Sequence, residues 1–258
     1  MTATATKNLR ARVSDIIGLC NPLIIAVSPC KRNLIYRVSE FTTITDTFSP
    51  LLRRLQRERI SLGRTIIYCR TYDSCSNLYL YFKHGLDEGF TEPLDAPDMS
   101  KFRLVEMFTS STDEEVKSQI ISSFSKPSPL RVVCATVAFG MGLDCRDVRQ
   151  IVHVGAPDDI ESYIQETGRG GRDGEPTLAS LLIVNRMNRF CEKSMIKYQQ
   201  NKTMCRRDLL FQDTDNYSRL ELGVQCVCCD ICAACCQCGL CEWNLCCFDV
   251  LLQKHSYS

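Results

Sequence analysis

The sequence predicts an α/β fold in which a parallel sheet carries helices on both faces, followed by a small helical domain. Two observations support this prediction. Short apolar runs alternate with helical patterns up to about residue 187, and alternation of this kind implies a parallel sheet. Beyond residue 188 the strand-like runs stop, and a polar stretch of helical period leads into a cysteine-dense end.

The predicted elements follow one another at short intervals. The strand candidates are LIIAV (23–27), NLIYRV (33–38), TIIYC (65–69), FRLVEMF (102–108), LRVVCAT (130–136), QIVHVG (150–155) and LASLLIV (178–184). Helical spacing occurs at 73–86 and at 111–124, and Ser111 or Thr112 before Glu114 and Glu115 is typical of a capping box. The acidic, turn-rich stretch at 85–100 predicts a long surface loop.

Length, charge and hydropathy limit the functions to consider. A chain of 258 residues is long enough for one full domain and a small second one. Its net charge is +1, so any nucleic-acid contact requires a local basic patch. We find no run of about 18 apolar residues that would span a membrane. The first residues, MTATATKNLRARVSD, lack the apolar core of a signal peptide, so we expect an intracellular protein without membrane contact.

The 18 cysteines are the compositional anomaly, and ten of them crowd between Cys226 and Cys247. A secreted disulfide framework would go with a signal peptide and a short chain. We therefore favour a reduced, metal-binding interpretation.

The stretch that carries the most chemistry is ATVAFGMGLDCRDVRQIVHVGAPDDIESYIQETGRGGRDG (135–174). Gly140 and Gly142 follow a strand, where a tight turn brings the backbone close to a phosphate. Arg169 and Arg172, one helical turn apart on one face, can both reach a polyphosphate. A guanidinium fork stabilises the charge on a transferring phosphoryl group better than a lysine does. The alternative is a glycine loop with solvated arginines.

The stretch closely resembles helicase motifs V and VI of the RecQ family of superfamily-two DNA helicases. The pattern Q-x-x-G-R-x-G-R is matched by Gln165, Gly168, Arg169, Gly171 and Arg172. The resemblance implies that Arg172 is the arginine finger and that Arg169 is its neighbour at the γ-phosphate. It also implies roles in ATP binding and coupling for Gly140, Gly142, Asp144 and Gln165.

The same resemblance implies a DNA partner, as a single strand or a junction of single strand and duplex. Thr136 in motif V would lie near the phosphates of the strand. FTSST (108–112) stands where RecQ proteins usually carry a tyrosine-histidine-alanine-glycine turn that contributes to DNA contact. Ser110 and Ser111 are therefore DNA-site candidates that depart from the family's residues. The family further implies a nuclear location and a role in DNA repair and recombination.

A second RecQ-like pattern is Cys205 followed by CVCCDIC (226–232). The family carries a helical cysteine followed by C-x-x-C-x-x-C, so Cys205, Cys226, Cys229 and Cys232 would hold a structural Zn²⁺. Cys228 falls between ligand positions, and both a bystander role and ligand swapping stay open. The tail CCQCGLCEWNLCC (235–247) repeats C-x-x-C, which leaves open a second metal site or an unstructured end.

The beginning of the chain completes the resemblance. Residues 2–6 (TATAT) resemble helicase motif III, and SPCKRN (28–33) resembles the hinge that follows it. We expect a remnant of a first lobe with its linker at 1–29, a RecA-like lobe at 30–187, a RecQ-type zinc-binding domain at 188–236, and an unstructured cysteine-rich tail at 237–258.

Neither G-x-x-x-x-G-K-[ST] nor D-E-x-H occurs in the sequence, so ATP and Mg²⁺ would bind only if a first lobe supplied those motifs. Three functions remain open. The chain is part of a RecQ-like ATP-dependent 3′–5′ DNA helicase, a stand-alone lobe that binds DNA or a partner, or a degenerate copy. In each case we expect that the chain alone does not hydrolyse ATP.

Overall fold

The structure is a computed structural model that describes residues 7–20, 22–25, 28–136, 139, 145, 147–214, 217 and 228–236. Six parallel strands form one sheet, in the spatial order β1-β6-β5-β2-β4-β3. The strands are β1 (Leu34–Glu40), β2 (Arg64–Cys69), β3 (Val105–Phe108), β4 (Val132–Ala135), β5 (Val148–Val154) and β6 (Thr177–Ile183). The parallel sheet confirms the expected α/β fold.

Helices precede β1, lie in the connections after β1, β2, β3 and β5, and follow β6. Those in the described part of the chain are α1 (Lys7–Ile17), α2 (Ile44–Glu58), α3 (Tyr72–Leu86), α4 (Glu114–Ser125), α5 (Ile160–Thr167), α6 (Lys193–Gln200), α7 (Arg206–Phe211) and α8 (Asp230–Ala234). Short 3₁₀ turns occur at Arg59–Ser61, Asp87–Phe90, Ser100–Phe102 and Asn185–Phe190. Among the described residues, none of the helices combines the length and the apolar character needed to cross a bilayer.

Helices cover the sheet on both faces because strand side chains alternate between its two sides. Ile67 of β2 belongs to the same buried cluster as Phe82 of α3. Its neighbour Ile66 points to the other face and packs in a cluster with Phe124 of α4. Both faces are therefore apolar, which explains why the strands read as nearly continuous apolar runs.

One local prediction was wrong and one helix was missed, each for an identifiable reason. Helix α4 begins at Glu114 with Asp113 as its cap, whose carboxylate accepts from the amide of Glu115, so Ser111 and Thr112 do not form the cap. The Thr112 hydroxyl instead accepts from the Thr109 amide and shapes the turn after β3. Helix α2 was not predicted, since it contains Pro50, which usually marks the end of a helix.

The stretch 85–100, expected to be a long surface loop, is partly buried. Phe90 packs into the core and Thr91 forms an isolated bridge with Arg103. The Arg59 side chain donates to the carbonyl of Gly89 and pairs with Glu92, which ties the stretch to the end of α2. Local composition does not reveal that an arginine some 30 residues earlier anchors this stretch, so it was predicted to be a surface loop.

The N-terminal segment (7–25, apart from residue 21) contrasts with the sheet. Its apolar side chains are mostly exposed: Ile16 is 79% accessible, Leu23 89% and Ile25 86%. The strand predicted at 23–27 does not form over 23–25, the described part of it. A strand requires a hydrogen-bonding neighbour, and the sheet offers this segment none among the described residues.

The helices after β6 dock on the edge strand β1. The Arg207 side chain, 1% exposed, donates to the carbonyls of Leu34 and Arg32. On the same strand, the amide of Tyr36 donates to the carbonyl of Cys228 at 3.2 Å, and the amide of Val38 donates to the Asp230 carboxylate at 3.0 Å. These contacts occupy backbone groups of an edge strand that would otherwise be open to pairing.

Candidate functional site

The arginine loop, residues 168–175, connects α5 to β6 and carries both predicted catalytic arginines. Helix α5 ends at Thr167, so Arg169 and Arg172 lie beyond it rather than one helical turn apart on a helix face. The loop turns at the amino end of β5, where the amide of Gly171 donates to the Val148 carbonyl at 3.1 Å. Its conformation is thus set by tertiary contacts.

Gly171 is required at the tightest point of this loop. Its φ of 56° lies in the left-handed region, and a Cβ there would come within 2.2 Å of the Asn33 side-chain nitrogen. The same Cβ would meet the Glu175 carbonyl at 2.8 Å. A side chain at this position would displace the loop and the arginines it carries.

The segment just before β1 holds the arginine loop in place through side-chain hydrogen bonds. The Lys31 ammonium donates to the carbonyls of Gly168 at 2.7 Å and Gly170 at 3.1 Å. The Asn33 amide donates to the carbonyls of Gly171 at 2.8 Å and Glu175 at 2.7 Å. Four hydrogen bonds therefore fix the loop to residues more than 130 positions earlier in the chain.

Two cationic side chains from other segments lie beside the arginine loop. Partial burial, followed by the nearby charge of Arg172, lowers the pKa of Lys31. Arg149 pairs with Asp173 and lowers the pKa of that carboxyl, chiefly through their hydrogen bond. Arg172 itself is exposed, whereas Arg169 is half-buried. An exposed guanidinium on a fixed loop, with Lys31 and Arg149 beside it, is suited to contact an anion such as a polyphosphate.

The remaining residues predicted for ATP binding and coupling are only partly described. Gln165 is exposed on the last turn of α5, just before the arginine loop. Gly140, Gly142 and Asp144 lie outside the described residues.

The predicted DNA-contact residues meet at the carboxyl end of β3 and β4. These strands pair with Phe108 opposite Ala135, and the amide of Thr136 donates to the Phe108 carbonyl at 3.1 Å. Ser110 and Ser111 are exposed in the turn that follows β3. The Lys117 ammonium donates to the Ser110 carbonyl at 3.0 Å and pairs with the Glu114 carboxylate at 2.6 Å, so an ion pair lies at this edge.

Four cysteines form a group able to bind a metal ion. The sulfur atoms of Cys205, Cys228, Cys229 and Cys232 all lie within 4.8 Å of one another. Thiolates around a tetrahedral zinc lie about 3.8 Å apart, from a Zn–S distance of about 2.3 Å. Cys228 thus occupies a place that the sequence pattern assigns to Cys226, which lies outside the described residues.

Backbone amides support one thiol of this cluster in particular. Cys229 Sγ accepts from the amides of Arg206 at 3.5 Å and Cys232 at 3.4 Å. The hydrogen bond between Cys205 and Cys229, with these amides, lowers the pKa of Cys229. Two amide donors at one sulfur favour the thiolate form that metal binding requires, and four thiols at this spacing fit a zinc ion.

Sequence reasoning missed the residues that hold the arginines in place. Lys31 and Asn33 were considered only as parts of a hinge, and the buried pair of His153 and Glu166 was not considered at all. Two signals for this pair were available: a histidine within an apolar strand run and a glutamate on the buried side of α5. Buried polar groups need partners, so each residue indicates that the other is near.

Comparison with known proteins agrees with this architecture. The family model described as "Helicase conserved C-terminal domain" matches residues 47–174. ATP-dependent DNA helicase Q1 of Mus musculus is 26% identical over 251 residues, which cover 92% of this chain and 35% of that protein. ATP-dependent DNA helicase Q4 of Homo sapiens is 32% identical over 185 residues, covering 71% of this chain and 15% of that protein.

A further relative and a solved structure extend the comparison. The RecQ-like DNA helicase blm-1 of Caenorhabditis elegans is 26% identical over 82% of this chain and 22% of its own length. The fold is shared with S. cerevisiae Dbp5 L327V bound to RNA and ADP BeF3, with a TM-score of 0.55, 19% identity, and coverage of 88% of this chain and 54% of that one. The chain spans about a third or less of the lengths of these curated relatives. Its sequence shows that the chain belongs to the RecQ helicase family, as a C-terminal helicase lobe.

Proposed function

We propose that this chain is the C-terminal part of an ATP-dependent 3′–5′ DNA helicase that acts in nuclear DNA repair and recombination. Arg172 is the arginine finger and Arg169 is its neighbour at the γ-phosphate. The observation that carries the proposal is the arginine loop, held by Lys31 and Asn33 through four hydrogen bonds. Stabilisation of a transferring phosphoryl group depends on donors that are positioned before the reaction begins.

ATP and Mg²⁺ enter this proposal through another lobe. These 258 residues contain neither a phosphate-binding lysine loop nor a D-E-x-H sequence, so the chain alone does not turn over ATP. Gln165 on α5 and the motif V residues Gly140, Gly142 and Asp144 complete this chain's side of the nucleotide site. DNA lies along the edge that carries Thr136, Ser110 and Ser111.

We further propose that Zn²⁺ is held by Cys205, Cys229 and Cys232 with a fourth thiolate from Cys226 or Cys228. The proximity of four thiols supports this assignment. The domain limits that accompany it are 30–187 for the helicase lobe and 188–236 for the zinc-binding domain, flanked by the first-lobe remnant at 1–29 and the tail at 237–258.

The test joins a RecQ-type first lobe in front of this chain and measures DNA-stimulated ATP hydrolysis and unwinding. Arg172→Lys should lower turnover about a thousandfold or more, since an ammonium does not reproduce the planar fork of an arginine finger. Arg53→Lys, at an exposed position on α2, is the matched control and should have no effect.

Near-normal turnover in Arg172→Lys would refute the arginine-finger assignment. DNA binding by the joined protein without any ATP turnover would favour the stand-alone binding lobe. Loss of both properties in a folded protein would favour the degenerate copy.

A further inference from the structure

A buried polar pair links β5 to α5 beneath the arginine loop. The Nε2 atom of His153 lies 2.8 Å from a carboxylate oxygen of Glu166, and the two residues are 1% and 6% exposed. Glu166 precedes Arg169 by less than one helical turn. The contact therefore attaches the end of α5, from which the arginine loop departs, to the middle of the sheet.

Tyr68, on the neighbouring strand β2, extends this contact in two directions. Its ring stacks on that of His153, with centroids 5.0 Å apart and an interplanar angle of 22°. Its hydroxyl donates to the Phe139 carbonyl at 3.2 Å. The Arg169 guanidinium lies within hydrogen-bonding reach of the same hydroxyl. Burial raises the pKa of Tyr68 despite the opposing effect of Arg169, so the hydroxyl remains a donor.

The Phe139 carbonyl belongs to the turn that follows β4. The amide of Phe139 donates to the Thr136 carbonyl at 3.1 Å, and the Thr136 amide donates to Phe108 on β3. This turn therefore joins the edge proposed for DNA to the Tyr68 hydroxyl. A shift of the turn changes the position of the acceptor on which that hydroxyl depends.

We propose that Tyr68, His153 and Glu166 are positioning residues that hold Arg169 and connect it to the Thr136–Phe139 turn. Nucleic acid bound at that turn then alters the placement of Arg169. This inference rests on the proposed function, because the coupling has a role only where Arg169 acts on a nucleotide. The contacts that hold Arg169 lie within this chain, so their effect on Arg169 is measurable in the 258-residue protein without ATP.

The first experiment uses the 258-residue chain without DNA and follows exchange of the Arg169 guanidinium Nη protons with water by nitrogen-15 NMR. Tyr68→Phe keeps the stacked ring and removes only the hydroxyl. It should accelerate this exchange about fivefold, the effect of one hydrogen bond of ordinary net strength. Tyr81→Phe, whose ring packs in the cluster on the opposite face of the sheet from Tyr68, is the matched control and should leave the exchange unchanged. Wild-type exchange in Tyr68→Phe would overturn the inference.

Glu166 supplies a separate check in the same measurement. Glu166→Ala should accelerate exchange at Arg169 because the end of α5 loses its attachment to His153. Glu166→Gln should restore most of the wild-type rate, since an amide still hydrogen-bonds an imidazole. Equal acceleration in both variants would show that the contact with His153 does not hold Arg169.

The second experiment uses the protein joined to a RecQ-type first lobe. Tyr68→Phe should lower DNA-stimulated ATP turnover about tenfold and DNA-free turnover by clearly less, because the weaker hold on Arg169 affects both rates and the lost connection to the DNA edge affects only the first. Equal losses with and without DNA would overturn the coupling. A joined protein in which Arg169→Ala has no effect would contradict the proposed function, and the exchange measurement would still decide whether Tyr68 holds Arg169.

Discussion

The sheet lobe (34–183) and the thiol segment (205–211 with 228–236) are stabilised in different ways. The sheet lobe buries apolar side chains on both faces, including Phe48, Phe82 and Phe124 without exposure. The thiol segment consists of helices of six and five residues, α7 and α8. Among its buried side chains are two arginines, Arg206 and Arg207, and three of the clustered cysteines.

The difference follows from helix length and core size. Helices of five or six residues are unstable alone, since the cost of forming the first turn is spread over too few hydrogen bonds. The thiol segment therefore depends on its docking to β1 and on its thiolates. Most of the sheet lobe depends on neither, because the apolar surface around β2, β3 and β4 is covered by its own helices. Its β1 edge and α5 are the exception, since they share a buried cluster with the thiol segment.

The largest expected effect is loss of metal from the thiol segment. Metal binding to such thiolates contributes roughly 10–16 kcal/mol in small zinc peptides, so Cys229→Ser should release Zn²⁺ and unfold α7 and α8 while the sheet remains. Elemental analysis of a version ending at Ala234 should find about one zinc per chain before the substitution. Cys20→Ser, at an exposed position, is the control.

A well-folded, reduced sample without zinc would show that the thiol segment folds without a metal ion, and the proposed difference in how the two regions are stabilised would be wrong. Two zinc ions per chain would mean that a second site exists. Collapse of the whole chain in Cys229→Ser would show that the sheet lobe depends on the thiol segment.

The next effect concerns the sheet lobe alone. Phe82→Ala should reduce the free energy of unfolding by about 3–5 kcal/mol, because it leaves a cavity between α3 and the sheet. Phe190→Ala, where the ring is 56% exposed, should cost far less. Denaturant unfolding followed by circular dichroism measures both. Full zinc content in folded Phe82→Ala would confirm that the regions are stabilised separately.

A smaller effect is expected where polar contacts hold the arginine loop. Lys31→Met should reduce the free energy of unfolding by about 1–3 kcal/mol, since the carbonyls of Gly168 and Gly170 lose their donor. Lys126→Met, at an exposed position, is the matched control. Amide hydrogen exchange should rise in residues 168–175 and stay unchanged in the thiol segment. Unchanged exchange in the loop would show that Lys31 does not hold it.

The smallest effect belongs to the N-terminal segment. Ile16→Ser should change the free energy of unfolding by no more than about 0.5 kcal/mol, because the side chain is already 79% exposed. Thermal unfolding of the two proteins side by side tests this. A drop of several kcal/mol would mean that the segment is packed in solution.

Local patterns predicted most of the sheet and failed where distant contacts intervene. The runs at 33–38, 65–69 and 178–184 overlap β1, β2 and β6, since strands buried on both faces are apolar throughout. The run at 23–27 has the same composition, yet residues 23–25 form no strand. Composition shows that a segment is suited to a sheet, but a neighbouring strand decides whether it joins one.

The sequence by itself determined the α/β alternation, the family, and the residue types of the candidate sites, because periodicity and motif spacing are local properties of the chain. Only the tertiary structure decided how those residues are held. Lys31 and Asn33 reach the arginine loop, Tyr68 meets His153, and Cys228 joins Cys205 across wide gaps in the sequence. Such contacts depend on the order of strands in the sheet and on which buried polar atoms find partners, and no local pattern encodes either.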